Sequence, residues 1–134
     1  MGAGTLADIK IKVEQPDYES GNLSSVLAEI KFALQQLLEQ KKSHCIDFRA
    51  MPWSPGEEEK LEQYLGRGEI SVQLNALGKS TFYETRYSGV WIVSHYNQDE
   101  ELIGKLIEIS YLPEMIFAQK EDVRNSLERL QTES

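Results

Sequence analysis

The chain has 134 residues, enough for one domain with a real buried core. Its 14 basic and 22 acidic side chains leave a net charge of −8, which repels phosphate backbones and argues against nucleic acid as a partner. Cys45 is the only cysteine, so an intrachain disulfide is excluded, and one thiol cannot by itself hold structural zinc or an iron–sulfur cluster. With no basic-then-apolar leader and no apolar run near the ~20 residues of a membrane span, the sequence predicts a cytoplasmic protein without membrane insertion.

Residues 1–22 are polar and turn-rich, with a short strand expected at Ile9–Val13 before a loop. A single domain is expected over 23–134. Its first element is a helix from Leu23 to Lys42, where Leu23, Val26, Leu27, Ile30, Leu34, Leu37 and Leu38 recur at helical spacing. Asn22 is the expected N-cap, and Phe32 falls opposite the apolar stripe. A short strand follows at His44–Phe48. The second helix is marked by Ser54 as N-cap, Pro55 at the first position and Glu57 three residues after the cap. Leu61, Tyr64 and Leu65 form its apolar side, and Gly66 ends it.

Four strands are predicted next. Ile70 to Asn75 alternates, Leu77-Gly78 is a turn, and Ser80 to Tyr87 is rich in Thr, Tyr and Phe. Ser88-Gly89 is a second turn. Val90 to Tyr96 is apolar on both sides and therefore central. Asn97 to Glu101 is an acidic loop, and Leu102 to Leu112 is the last strand, stopped by Pro113. A final helix over Gln119–Leu130 presents Val123, Leu127 and Leu130. The expected class is α+β, a mostly antiparallel sheet of four to five strands with helices packed on one face.

Two-residue hairpin loops at both turns fix a register. Leu74 then faces Thr81 and Val72 faces Tyr83. Glu69 lies opposite Arg86, Arg86 opposite Trp91, and Phe82 opposite His95. Ile70, Val72, Leu74, Tyr83, Val90 and Ile92 would face the helices. Glu69, Ser71, Gln73, Glu84, Arg86, Trp91 and His95 would share the opposite face. Arg86 between a carboxylate and an indole is suited to recognition, because Trp and Arg anchor interfaces. Glu69, Glu84, Arg86 and Trp91 are therefore the expected partner-binding residues, against the plainer reading of a solvated face with one ion pair.

No catalytic or metal motif is present, and neither cofactor nor metal is expected. Glu69 and Glu84 are the minimum for acid–base chemistry, but an adjacent Arg86 would hold Glu69 ionised. His44 and His95 are the only imidazoles and sit in no nucleophile or metal spacing. Gly66-Arg67-Gly68 follows a helix and precedes a strand, the wrong order for a phosphate-cradling loop.

Several linked pieces resemble one family. They are the Gly-x-Gly-Glu-Ile-Ser step at Gly66 to Ser71, the Glu-Thr-Arg-Tyr-Ser-Gly-Val-Trp step at Glu84 to Trp91, Ile107 to Pro113, and the upstream run Ile46 to Glu57. Together, over roughly residues 23–131, they resemble the C-terminal domain of HupH-type hydrogenase expression/formation proteins. That resemblance implies a non-catalytic chaperone or scaffold in maturation of an uptake nickel–iron hydrogenase. It would bind the iron–sulfur small-subunit precursor and work beside a thioredoxin-like accessory protein. Many family members are about twice this length, with a further N-terminal region. The alternatives are a ligand-binding or enzymatic module using Glu69 and Glu84, and a module that closes a homodimer.

Overall fold

In a computed structural model, residues 21–133 are described; the strand expected at Ile9–Val13 lies outside them. The elements in chain order are α1 (Asn22–Gln40), β1 (His44–Asp47), a 3₁₀ turn (Phe48–Ala50), α2 (Glu57–Leu65), β2 (Ser71–Asn75), β3 (Lys79–Glu84), β4 (Val90–Tyr96), β5 (Leu102–Ile109) and α3 (Lys120–Glu133). The strands form one five-stranded antiparallel sheet in the order β1-β5-β4-β3-β2. The α+β class and the antiparallel sheet are as expected.

The helix ends differ in detail from the sequence reading. Gly21 in the left-handed conformation, not Asn22, is the N-cap of α1, and the Asn22 side chain donates instead to the Pro52 carbonyl at 2.9 Å. The helix closes at Lys41, also left-handed, whose amide bonds the Leu37 carbonyl. At α2 the N-cap is Gly56 rather than Ser54, yet the expected capping contact forms: the Glu57 carboxylate accepts the Ser54 amide at 2.9 Å. Gly66 ends α2 as predicted.

The central strand β4 is apolar on both sides, and each side has its own core. Toward the helices, Val90 and Ile92 pack with Ile46, Ile107 and Ile109 beneath Val26, Ile30, Ala33 and Leu37 of α1 and Leu61 and Leu65 of α2. On the far side, Phe82, Trp91 and Val93 form a second cluster with Val72, Leu74, Leu106 and Ile116. Ile116 comes from the segment after β5, which ends at Ile109 and not at Leu112 as expected, and the chain folds back at Pro113, whose carbonyl accepts the Ile116 amide. Large side chains that are fully buried contribute roughly 1.5–3 kcal/mol each, so both faces are structural.

The register corrects the hairpin map. Val72 pairs with Phe82, Gln73 with Thr81 and Leu74 with Ser80, because the β2–β3 loop holds three residues, Ala76-Leu77-Gly78. That one-residue difference puts Val72 and Leu74 on the far face and turns Ser71 and Gln73 toward the helix side. The loop closes with the Ala76 amide on the Gly78 carbonyl, and a Cβ at Gly78 would sit 2.1 Å from the Tyr96 carbonyl oxygen. The β3–β4 connection spans 85–89. Glu84, not Arg86, lies opposite Trp91, and His95 lies opposite Ser80, not Phe82. His95 Nδ1 and Ser80 Oγ are 2.7 Å apart across that pair.

One ion cluster ties α2 to the sheet. Lys105 of β5 pairs with Glu62 and lies 3.5 Å from Glu58, with its ammonium 5.1 Å from the centre of the Phe48 ring. Burial by itself would lower the Lys105 pKa, but Glu62 and Glu58 outweigh it and hold the ammonium above the ordinary lysine value. A raised folded-state value means this stabilisation is complete below the unfolded lysine pKa and is lost as pH rises through the folded one. Thermal scans at increasing alkaline pH should therefore show Lys105→Met less stable than the parent chain near neutrality, with the gap closing above about pH 10.4. A gap independent of pH would assign the cost to packing alone.

Candidate functional site

The four residues expected to share a face are divided between a core and an edge. Trp91 is 1% exposed, and its indole nitrogen donates to the Ser110 carbonyl at 3.0 Å. Glu84 lies beside it across the ladder, half-buried, and accepts the Gly89 amide at 3.1 Å. Gly89 takes φ +91°, a conformation that favours glycine. Both side chains thus build the β3–β4 connection, which is completed by buried Thr85: its hydroxyl donates to the Tyr87 carbonyl and accepts the Tyr87 amide. Only Glu69 and Arg86 are exposed.

Arg86 is held at the end of α2. Its amide bonds the Leu65 carbonyl at 2.9 Å, and its guanidinium donates to the Tyr64 carbonyl at 2.8 Å and the Tyr87 hydroxyl at 3.2 Å. The aliphatic stem crosses Gly66, where a Cβ would lie 2.7 Å from the Arg86 Cγ. Gly66 also has φ +69° and ψ −163°, a region essentially reserved for glycine. Two residues on, the Gly68 amide bonds the Glu84 carbonyl at 2.7 Å, and a Cβ there would meet the Thr85 carbonyl oxygen at 2.5 Å. The Gly-x-Gly step is therefore a close-approach seam between the α2 exit and the β3 exit, with Arg86 laid across it.

An aromatic–arginine surface results. The Tyr64 and Tyr87 rings stack at 6.1 Å with planes 19° apart, 49% and 39% exposed, and the Arg86 guanidinium sits 5.3 Å from the Tyr87 ring centre. Arg67 lies 3.9 Å over the Tyr83 ring. Burial and the Tyr64 hydroxyl push the Tyr87 phenol pKa up against the lowering pull of Arg86, so it stays protonated and able to donate at neutral pH. Tyr64, assigned from its spacing to the apolar side of α2, and Tyr87 were not among the expected binding residues. The available signal was an aromatic directly beside Arg86 in sequence.

Of the two carboxylates weighed for acid–base chemistry, Glu84 accepts the Gly89 amide and Glu69 is exposed on the linker between α2 and β2. His44 pairs with Glu29 at 2.7 Å. The Cys45 thiol pKa is raised, first by burial and then by Glu108, which disfavours a thiolate. No group of three or more His, Cys, Asp or Glu able to hold a metal ion occurs among the described residues. No helix among them is long and apolar enough to cross a membrane.

The sequence profile "HupH hydrogenase expression protein, C-terminal conserved region" matches residues 21–133. The chain belongs to this family. A solved structure of the hydrogenase expression protein HupH from Thiobacillus denitrificans superposes with a TM-score of 0.80 at 36% identity, covering 86% of this chain and 96% of that one. The hydrogenase expression/formation protein HoxQ of Cupriavidus necator is 31% identical over 109 residues, and HoxQ of Azotobacter vinelandii is 28% identical over 111. In each case the match covers 81% of this chain and 39% of the relative, so the chain spans about two-fifths of the length of these relatives. The motif residues that carry the family likeness, Gly66, Gly68, Glu84, Gly89 and Trp91, all have a structural task in this fold.

The seam makes a differential prediction. Gly68→Ala meets backbone oxygen and should cost roughly 1–3 kcal/mol in urea unfolding, unchanged in an Arg86→Ala background. Gly66→Ala meets the Arg86 side chain as well as backbone strain, so part of its cost should vanish in that background. Equal coupling of both glycines to Arg86 would contradict the seam described.

Proposed function

We propose that this chain serves in the maturation of a nickel–iron uptake hydrogenase as a cytoplasmic, non-catalytic chaperone or scaffold. It binds the precursor of the iron–sulfur small subunit and works beside a thioredoxin-like accessory protein. The observation that carries this reading is the family match over residues 21–133, whose relatives are named hydrogenase expression/formation proteins. The geometry supports a binding role, because the family-bearing residues build a surface: Glu84, Gly89 and Trp91 shape the β3–β4 connection and Gly66 and Gly68 admit Arg86 to the α2 end.

The proposed contact is the exposed edge of Tyr64, Arg86 and Tyr87, with exposed Glu69 next in sequence to Gly68 of the seam. Tyr and Arg are the residue types that dominate binding energy at interfaces, and here a hydrogen bond and stacking already hold them in place. Trp91 and Glu84 act as supports beneath.

The test is capture of the small-subunit precursor by the full chain. Tyr64→Ser with Tyr87→Ser, and separately Glu69→Lys, should leave the circular dichroism melt close to that of the parent while capture falls at least about tenfold. Trp91→Ala, by contrast, should lower stability first, by about 3–5 kcal/mol. Undiminished capture by the folded Tyr64/Tyr87 double variant would overturn the assignment of this edge.

A further inference from the structure

The sheet ends on one side at β1, and among the described residues no strand pairs with its outer edge. The direction of the β1 backbone groups follows from the neighbouring ladder. The Ser110 amide bonds the Gly89 carbonyl at 3.0 Å, which makes Val90 and Ile109 a pair without mutual hydrogen bonds. The Ile109 amide and carbonyl therefore turn to His44, and those of Ile107 turn to Ile46. By alternation, the amides and carbonyls of Cys45 and Asp47 point outward from the sheet.

A cleft of about 380 Å³ runs beside this edge, lined by Phe32, Ala33 and Gln36 of α1 and by Lys42 and His44. The His44 and Ile46 side chains are on the helix side of the sheet, since Ile46 packs in the core beneath α1. Ala33 is buried, whereas the Phe32 ring, opposite the apolar stripe of α1, is 63% exposed. His44 holds Glu29, the carboxylate of this cleft, at 2.7 Å. Lys42 stands where α1 passes into β1 and gives that end of the cleft a positive charge, in a chain whose net charge is −8.

We propose that this groove binds an extended peptide of a protein partner, which adds to β1 as a sixth strand. Outward backbone groups on alternate residues are satisfied by another extended backbone, and a pocket beside the edge selects its side chains. An antiparallel addition continues the pattern of every pair in this sheet. The peptide residue opposite His44 then points into the cleft, where an apolar side chain covers the Phe32 ring. The residue two positions further on points the same way and arrives at Lys42, so a carboxylate complements it. The partner is therefore read as an apolar residue, any residue, then Asp or Glu. A second copy's β1 cannot supply this, because the apolar side chains of that stretch, Ile46 and Phe48, are buried in their own core. The groove is separate from the Tyr64–Arg86–Tyr87 edge and does not rest on its assignment.

The probe is the labelled, C-terminally amidated peptide Thr-Thr-Thr-Phe-Thr-Glu-Thr, titrated with the full chain and followed by fluorescence anisotropy. Binding should saturate below about 1 mM. Serine in place of the phenylalanine should weaken it at least about tenfold. Proline in place of the threonine before it removes the amide that would bond the Cys45 carbonyl, and should weaken binding at least about fivefold. On the protein, Phe32→Ala should cost at least about fivefold and Lys42→Glu at least about threefold. Both positions are exposed, so the melt should stay that of the parent. A peptide with Lys in place of Glu should regain affinity for Lys42→Glu, while Lys79→Glu, three strands away, should leave the original binding within about twofold. No saturation by about 1 mM overturns the proposal, whether the edge stays idle, is covered by the chain's own first residues or is closed by a second copy. Binding that tolerates the proline, or that ignores both Phe32→Ala and Lys42→Glu, overturns it as well. Either result leaves the small-subunit capture test at the Tyr64–Arg86–Tyr87 edge unaffected.

Discussion

The structure depends on one constraint, the two-sided apolar character of β4. Val90 and Ile92 point one way and Trp91 and Val93 the other, all within 1% of complete burial. A strand of this kind must lie inside a sheet with both faces covered. One cover is α1 with α2. The other is assembled from Phe82, Val72, Leu74 and Leu106 on neighbouring strands and from Ile116, which the chain can deliver only by turning back after Pro113. Once both covers are in place, neither sheet face at β4 is free for recognition, and contact surfaces fall to the edges.

The edge at the α2 exit follows from that arrangement. With Trp91 buried, Glu84 is drawn beside it in the ladder and its carboxylate closes the following loop at Gly89. The loop then places Arg86 and Tyr87 over the last turn of α2, and the two glycines remove the Cβ atoms that would block the approach. Glu84, Trp91 and the glycines act on the surface indirectly: they set where two tyrosines and an arginine stand. A family can thus be marked by residues of which several are inaccessible, because those residues shape the surface from beneath.

The two ends of the domain differ in how they are held. At the α2 side, Lys105 bridges Glu58 and Glu62 and lies against Phe48, so helix and sheet are joined by charge and packing together. At the other side, Gln119 fixes the start of α3 through the Glu114 and Phe117 carbonyls. The family match spans both ends.

The elements were readable from the residues alone because their signals are local. Helical spacing located α1 and α2, Gly66 marked a helix end, and an unbroken apolar run identified β4 as central. The linked motifs from Gly66 to Trp91 pointed to the family. Register and faces were not readable, since side-chain direction alternates with every residue and a loop of three residues in place of two inverts a whole strand. Ala76-Leu77-Gly78 made that difference, moving Val72 and Leu74 into a second core and leaving Ser71 and Gln73 on the other side. Nothing in the local pattern separates an indole that stands on a polar face from one sealed by a distant segment; burial of Trp91 needs Phe82, Val93 and the chain after Pro113. The sequence by itself determined the elements, the α+β class and the family. Which of Glu69, Glu84, Arg86 and Trp91 meet solvent, and that Tyr64 and Tyr87 join them, was decided only when non-local contacts fixed the register, because burial is a property of what packs against a residue and not of the residue.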